Sequence, residues 1–182
     1  MITIVILLIL AWTFYIGYAR GLVLQLFYSG SAIVSMIVAA HFYKNLSTVL
    51  SLWIPYANAT QGSVTYFYPN SQLFDLDKVF YAGLAYFIVF SVVYCLARFL
   101  GIFVHLAPLW KLNQPWMKIL SGLLAMGVTI FVLQMGLTIL STVPIAFIQN
   151  HLQGNMLLRF LISHTPMTTQ LLKYLWVTKI IG

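Results

Sequence analysis

Two apolar runs open the chain, residues 2–19 and 21–43, and one charged side chain, Arg20, separates them. A helix needs about 20 predominantly apolar residues to cross a bilayer, and each run is long enough. Arg20, flanked by Gly17 and Gly21, therefore predicts a tight hairpin turn at a membrane surface. Two further spans follow: residues 79–97, ending at Arg98, and residues 119–143, bounded by Lys118 and Pro144. The longest polar stretch, about residues 57–78, is too short and too unpatterned to bury a core of its own. The pattern predicts an all-α integral membrane protein of four transmembrane helices plus interfacial amphipathic helices, forming one membrane domain over residues 1–182.

The connections carry their own periodicity. Leu46, Val49, Leu50 and Trp53 share one helical face, opposite Asn45, Ser47, Thr48 and Ser51, so residues 45–56 are expected to lie in the membrane interface. Asp75 or Asp77 is expected to cap the third span, where a carboxylate meets unpaired N–H groups and the positive end of the helix dipole. The apolar stretch after Arg98 is too short for another crossing and predicts an interfacial or re-entrant segment anchored by Trp110 and Trp116. Near the C-terminus, Thr165-Pro166 reads as N-cap and first helical residue. Met167, Leu171, Leu172, Leu175 and Trp176 then form an apolar stripe opposite Thr168, Thr169, Gln170 and Lys173, which predicts a helix over about 166–180 lying flat on the membrane.

Composition strengthens the membrane assignment. The chain is 62% hydrophobic and 6% charged, against roughly 25% charged residues in soluble domains. Nine Lys and Arg face only Asp75 and Asp77, a net charge of +7. Nucleic-acid binding calls for a clustered basic patch, whereas these cations are dispersed and mostly end apolar runs, where they can snorkel to headgroups. Membrane lipids are the expected partners and nucleic acid is not. Arg20, Arg98, Lys111 and Lys118 on one side, against Lys44, Lys78 and Arg159 on the other, favour a cytoplasmic Arg20 turn with both termini outside. The single cysteine, Cys95, sits among apolar neighbours and is expected to be a small buried hydrophobe. Without a basic n-region, residues 1–19 are not expected to be a cleaved signal peptide.

Few positions invite chemistry. Gly17 and Gly21 match the close-packing G-x-x-x-G pattern, but the pattern spans the turn, so turn formation is the preferred reading. Ser31, Ser35 and Ala39, and Ser121 and Ala125, place small residues on single helix faces and are the candidates for helix packing. Gln25 and Gln134 are the amides deepest within their spans; each needs a partner, and an interhelical hydrogen bond is the default. The four histidines show no metal-ligand spacing, no G-x-S-x-G elbow or phosphate loop occurs, and no cofactor, metal site or catalytic residue is expected. A small oligomeric channel or transporter, with Gln25, Gln134 and the Ser29–Ser35 cluster lining a path, is the alternative to a non-enzymatic packing role.

Four spans, a Gly-x-x-Arg-Gly turn after the first, and small residues spaced by four after a basic residue together resemble the colicin V production (CvpA) family. The matching segments are Gly17-Tyr-Ala-Arg-Gly21-Leu-Val-Leu-Gln-Leu26, and Lys118 leading into Ser121 and Ala125. Ser121 and Ala125 stand where the family commonly has glycine, and an acidic residue frequent early in its first span is missing. The resemblance implies a multi-pass protein of the bacterial plasma (inner) membrane. It implies an accessory role in toxin (bacteriocin) production or export, or in envelope maintenance. The first hairpin and the small-residue faces are expected to pack within the chain or against a second copy or a partner membrane protein. It carries over no catalytic residue.

Overall fold

The computed structural model describes residues 2–57, 59, 65–106, 114–165 and 168–181. Four long helices carry the apolar runs: α1 (Ile2–Arg20), α2 (Leu22–Trp53), α3 (Leu76–Leu106) and α4 (Pro115–Ser141). All four are long and apolar enough to cross a membrane. Three short helices follow: α5 (Ala146–Gly154), α6 (Met156–Ser163) and α7 (Thr168–Lys173), the last running into a π-helical turn over Tyr174–Thr178. Among the described residues there is no strand.

The turn after Arg20 is one residue long. Arg20 ends α1, Leu22 begins α2, and Gly21 alone lies between them at φ +84°. An L-residue is strained there, whereas glycine is not. The Gly21 N–H still donates to the Gly17 carbonyl at 3.3 Å, and the Gly21 carbonyl accepts from the Gln25 N–H at 3.2 Å. One glycine thus closes one helix and opens the next.

Two helices run further than their apolar runs. At 1.5 Å per residue, the 32 residues of α2 extend about 48 Å, well beyond a hydrocarbon core of about 30 Å. Residues 45–53, expected as a separate interfacial helix, are its continuation. Nothing between Tyr43 and Trp53 breaks the helix. The hydroxyls of Ser47, Thr48 and Ser51 donate to carbonyls three residues back, at 2.7–2.8 Å, and so are satisfied in place. The first breaker is Pro55, which disfavours helical backbone at Ile54. Likewise α3 runs through the start of the expected interfacial or re-entrant segment as far as Leu106; Trp110 and Lys111 lie outside the described residues. Trp116 is exposed in the first turn of α4. Cys95, expected to be buried, is exposed on α3.

The chain divides into two units. The first comprises Met1–Val38 and Val89–Val132, and the second Ala39–Ile88 and Leu133–Gly182. In the first unit α1 and α4 cross closely. A side-chain carbon on Gly17 would lie 2.6 Å from the Ala125 Cβ, 2.8 Å from the Ser121 carbonyl oxygen and 3.0 Å from the Gly122 Cα. One on Gly122 would meet the Phe14 ring at 2.6 Å. Phe90 and Phe131 add an edge-to-face pair with centroids 5.7 Å apart.

The second unit is built around buried Trp176, Tyr86 and Tyr43. The Tyr86 ring stands edge-on to Trp176 at 5.7 Å, Gly83 leaves room for the indole, and the Tyr43 hydroxyl donates to the Leu175 carbonyl at 2.9 Å. Tyr56 and Tyr81 tie loop to helix by donating to the carbonyls of Thr142 and Ile54, each at 2.6 Å. Burial, and then the nearby Asp77 charge, push the Tyr56 phenol well above its usual range. Buried Gln149 on α5 donates to the carbonyls of Ser141 and Val143 at 2.9 and 2.8 Å and accepts from the Tyr66 N–H at 3.3 Å. Asn155 caps α6, its side-chain oxygen accepting from the N–H groups of Leu157 and Leu158.

Much of the C-terminal stripe packs into the protein, while Leu171 and Tyr174 are exposed. Leu172, Leu175 and Trp176 are buried within the second unit, and so is Thr169 on the supposedly polar face. Pro166 and Met167 lie outside the described residues; the Thr165 carbonyl accepts the Thr169 N–H at 3.2 Å, as that of an N-cap residue does, and the Thr165 hydroxyl donates back to the Leu161 carbonyl at 2.8 Å. Asp75 pairs with Lys78 at 2.7 Å, while Asp77 occupies the first turn of α3, where the helix dipole favours a negative charge.

Candidate functional site

Ser121 and Ala125 both lie at the α1–α4 crossing. The Ser121 hydroxyl, fully buried, donates to the Gly17 carbonyl. Gly17, read as a turn residue, is one helical turn before the hairpin and serves this crossing instead. The turn itself needs only Gly21. Gly122 does the same work from the α4 side, with Phe14 against it. Its signal was the LSGLLA segment, where the glycine adjoins the flagged serine.

Ser35 and Ala39 are fully buried. The Ser31 and Ser35 hydroxyls donate to their own helix, to the Phe27 and Ser31 carbonyls at 2.8 and 2.7 Å. Gln134 finds partners at both ends of its amide in the second unit. Its Nε2 donates to Thr169 Oγ1 at 2.7 Å and its Oε1 accepts from the Thr168 hydroxyl. Gln134 thus pins α7 to α4 through Thr168 and Thr169, two residues from the polar side opposite the C-terminal stripe.

Gln25, by contrast, opens onto a cleft. In the first unit a half-open cavity of about 230 Å³ is lined by Arg20 and Gln25 at the hairpin, by Tyr94 and Arg98 on α3, and by Thr129 and Val132 among others on α4. Gln25 is only 3% exposed, and its side chain makes one long bond, 3.5 Å, to Ser29. The two arginines meet on one ring. The Arg20 guanidinium carbon is 5.3 Å from the Tyr28 centroid and that of Arg98 is 5.0 Å from it, so the two cations are no more than about 10 Å apart. Arg98 also lies 5.7 Å from the Tyr94 ring. Stacking of this kind contributes about 0.5–1 kcal/mol per contact where exposed. Tyr28 is held in place by Gly101, where a side-chain carbon would fall 2.5 Å from the ring.

Electrostatically the cleft is one-signed. The first unit carries Arg20, Arg98, Lys111 and Lys118 and not one carboxylate, because both acids of the chain belong to the second unit. Lys118 rests over the Tyr18 ring at 5.9 Å. Sequence reading identified Arg20 and Arg98 as span-ending cations but not their convergence on Tyr28. Among the described residues no group of three or more His, Cys, Asp or Glu is arranged to hold a metal.

A family model described as Colicin V production protein matches residues 2–166. The chain is also 30% identical, over 97% of its length and 97% of the relative's, to the uncharacterized transmembrane protein YshB of Bacillus subtilis (strain 168). No solved structure matches it.

Proposed function

The chain belongs to the colicin V production protein family, and on that premise we propose that it is a non-enzymatic multi-pass protein of the bacterial plasma membrane. Its role is accessory, to toxin production or export or to envelope maintenance. One observation carries the choice of a packing role over a conducting one. Gln134, the amide that would line a polar route in the second unit, is fully buried, and both ends of it hold α7 in place. An ion or proton route calls for ionisable groups at membrane depth, and this buried polar group instead joins two helices.

The test has two parts. Deleting the gene from its host should impair toxin secretion or resistance to envelope-damaging detergents, and the wild-type chain should restore it. Purified protein in liposomes should give no more ion or small-solute flux than empty vesicles. Reproducible flux that disappears in Gln134→Leu would overturn the packing role in favour of a channel.

A further inference from the structure

The cleft beside the hairpin joins two features: a pair of guanidinium groups with no carboxylate in their unit, and a buried amide held by one long hydrogen bond. Like charges held within about 10 Å of one another repel, and the Tyr28 ring they share offers only partial compensation. Arg20 ends a span at the Gly21 turn, and Arg98, within the span Ser71–Phe103, lines the same cleft from α3. We propose that this cleft binds a phosphate-class oxyanion, held by Arg20 and Arg98 with Gln25 and Tyr94 as further donors. This proposal is independent of which cellular process the protein serves.

The chemistry fits that ligand class. A guanidinium presents a rigid fork of N–H donors that matches phosphate oxygens two at a time, and its charge shortens and strengthens those bonds. Two forks on one anion satisfy its charge and most of its lone pairs. Gln25 and Tyr94 both line the cleft; an amide N–H and a phenol O–H can donate to the remainder, the Tyr94 oxygen meanwhile accepting from Arg98. Size agrees as well. Pockets for drug-sized ligands run to about 300–1,000 Å³, and a cavity of about 230 Å³ suits a headgroup-sized anion. Ile16, Val128 and Val132 complete the lining with apolar surface, which an acyl chain attached to that phosphate could cover. A phospholipid headgroup and a free phosphate share the recognised chemistry.

The experiment separates these sources. The intact protein is placed in nanodiscs of phosphatidylcholine alone or of phosphatidylcholine mixed with phosphatidylglycerol, and its thermal midpoint and retained lipid are measured by melting and native mass spectrometry. Inorganic phosphate, against chloride at equal ionic strength, is added to the neutral discs as a second arm. Stabilisation by phosphatidylglycerol assigns the site to a lipid, and stabilisation by inorganic phosphate assigns it to a soluble anion. Because a hydrogen bond to a charged group is worth about tenfold or more in affinity, the double variant Arg20→Gln/Arg98→Gln should lose the effect in either arm. Arg159→Gln, an exposed cation of the second unit, should keep it. Should the double variant fail to fold in neutral discs, Arg98→Lys keeps the charge and removes the fork, and it must bind several-fold more weakly. The proposal is overturned if neither probe stabilises the wild type, or if the arginine variants respond as Arg159→Gln does.

Discussion

Replacing Gly17 by alanine should unfasten α1 from α4. The added carbon would stand 2.6 Å from the Ala125 Cβ, where carbon pairs settle at about 3.5–4.0 Å. The Ala125 methyl has no rotamer to swing away, and the other two near atoms are backbone, the Ser121 oxygen at 2.8 Å and the Gly122 Cα at 3.0 Å. The helices must therefore separate by about 1 Å, which as overpacking costs about 1–3 kcal/mol. Separation also stretches the bond from the Ser121 hydroxyl to the Gly17 carbonyl, and interhelical hydrogen bonds in membranes average about 0.6 kcal/mol. Against this, alanine is favoured over glycine in a helix interior by up to about 1 kcal/mol. The net expectation is a loss of about 0.5–2.5 kcal/mol. Gly127→Ala is the matched control, on α4 with nothing within 4 Å of the added carbon, and it should be neutral or slightly stabilising. Reversible unfolding of both variants by sodium dodecyl sulfate titration in mixed micelles compares them directly. Equal midpoints, or a Gly17→Ala protein at least as stable as Gly127→Ala, would refute the close crossing. A Gly17→Ala/Ser121→Ala pair should lose less than the sum of its singles, because the two residues share one contact.

Gln134→Leu leaves the Thr168 and Thr169 hydroxyls without their partner, so α7 should exchange amide hydrogens faster than in the wild type while the α1–α4 crossing is unchanged; equal protection of α7 in both proteins would count against the pin. Gly101→Ala should displace Tyr28 from beneath the two guanidiniums and destabilise the protein by about 1–3 kcal/mol, read as a lowered melting midpoint, whereas Gly30→Ala, with open space around it, should not. The Tyr56 phenol is held above the usual tyrosine value of 10.0 by burial. A group that binds its proton more tightly when folded stabilises fully below its unfolded pKa and loses that contribution as pH climbs toward the folded one. Stability should therefore hold through neutral pH and fall above about pH 10, and Tyr56→Phe should flatten that alkaline fall. Arg20→Glu should alter the orientation of the first hairpin, because Lys and Arg bias sets topology; unchanged cysteine-accessibility labelling at positions 18–21 would argue otherwise.

The four spans were legible because hydrocarbon imposes its length requirement on sequence directly. What surrounds them was less so, and for a definite reason. The stripe Leu46, Val49, Leu50 and Trp53 reports a helix, but periodicity cannot say whether that helix is new or a continuation. The decision rests on breakers, and the first is Pro55. The C-terminal stripe has a similar ambiguity, since a helix on a membrane and a helix docked on protein bury the same apolar face. What separates them is the polar side. Thr168 and Thr169 turn toward Gln134, and the demand came from an amide more than thirty residues upstream. Gly17 illustrates the same limit at short range, because a glycine four residues from a turn serves either the turn or a neighbouring helix, and only the approach of Ser121 and Ala125 distinguishes them.

The cleft is the strongest case of information that is present in the sequence yet invisible along it. Arg20 and Arg98 are each read along the sequence as cations that end apolar runs, although the span carrying Arg98 continues to Phe103, and 78 positions separate them. Their convergence depends on Tyr28, which is admitted only because Gly101 has no side chain to exclude it. Charge then completes the argument. A soluble protein that brought two arginines together at a ring would ordinarily supply a carboxylate, but here both acids lie at the start of α3, in the other unit. Composition therefore leaves the pair without a counter-charge inside its own unit, and the proposed anion supplies one. At the turn of a membrane hairpin, the surroundings that can provide it are the anions of the lipid surface and of the adjoining water.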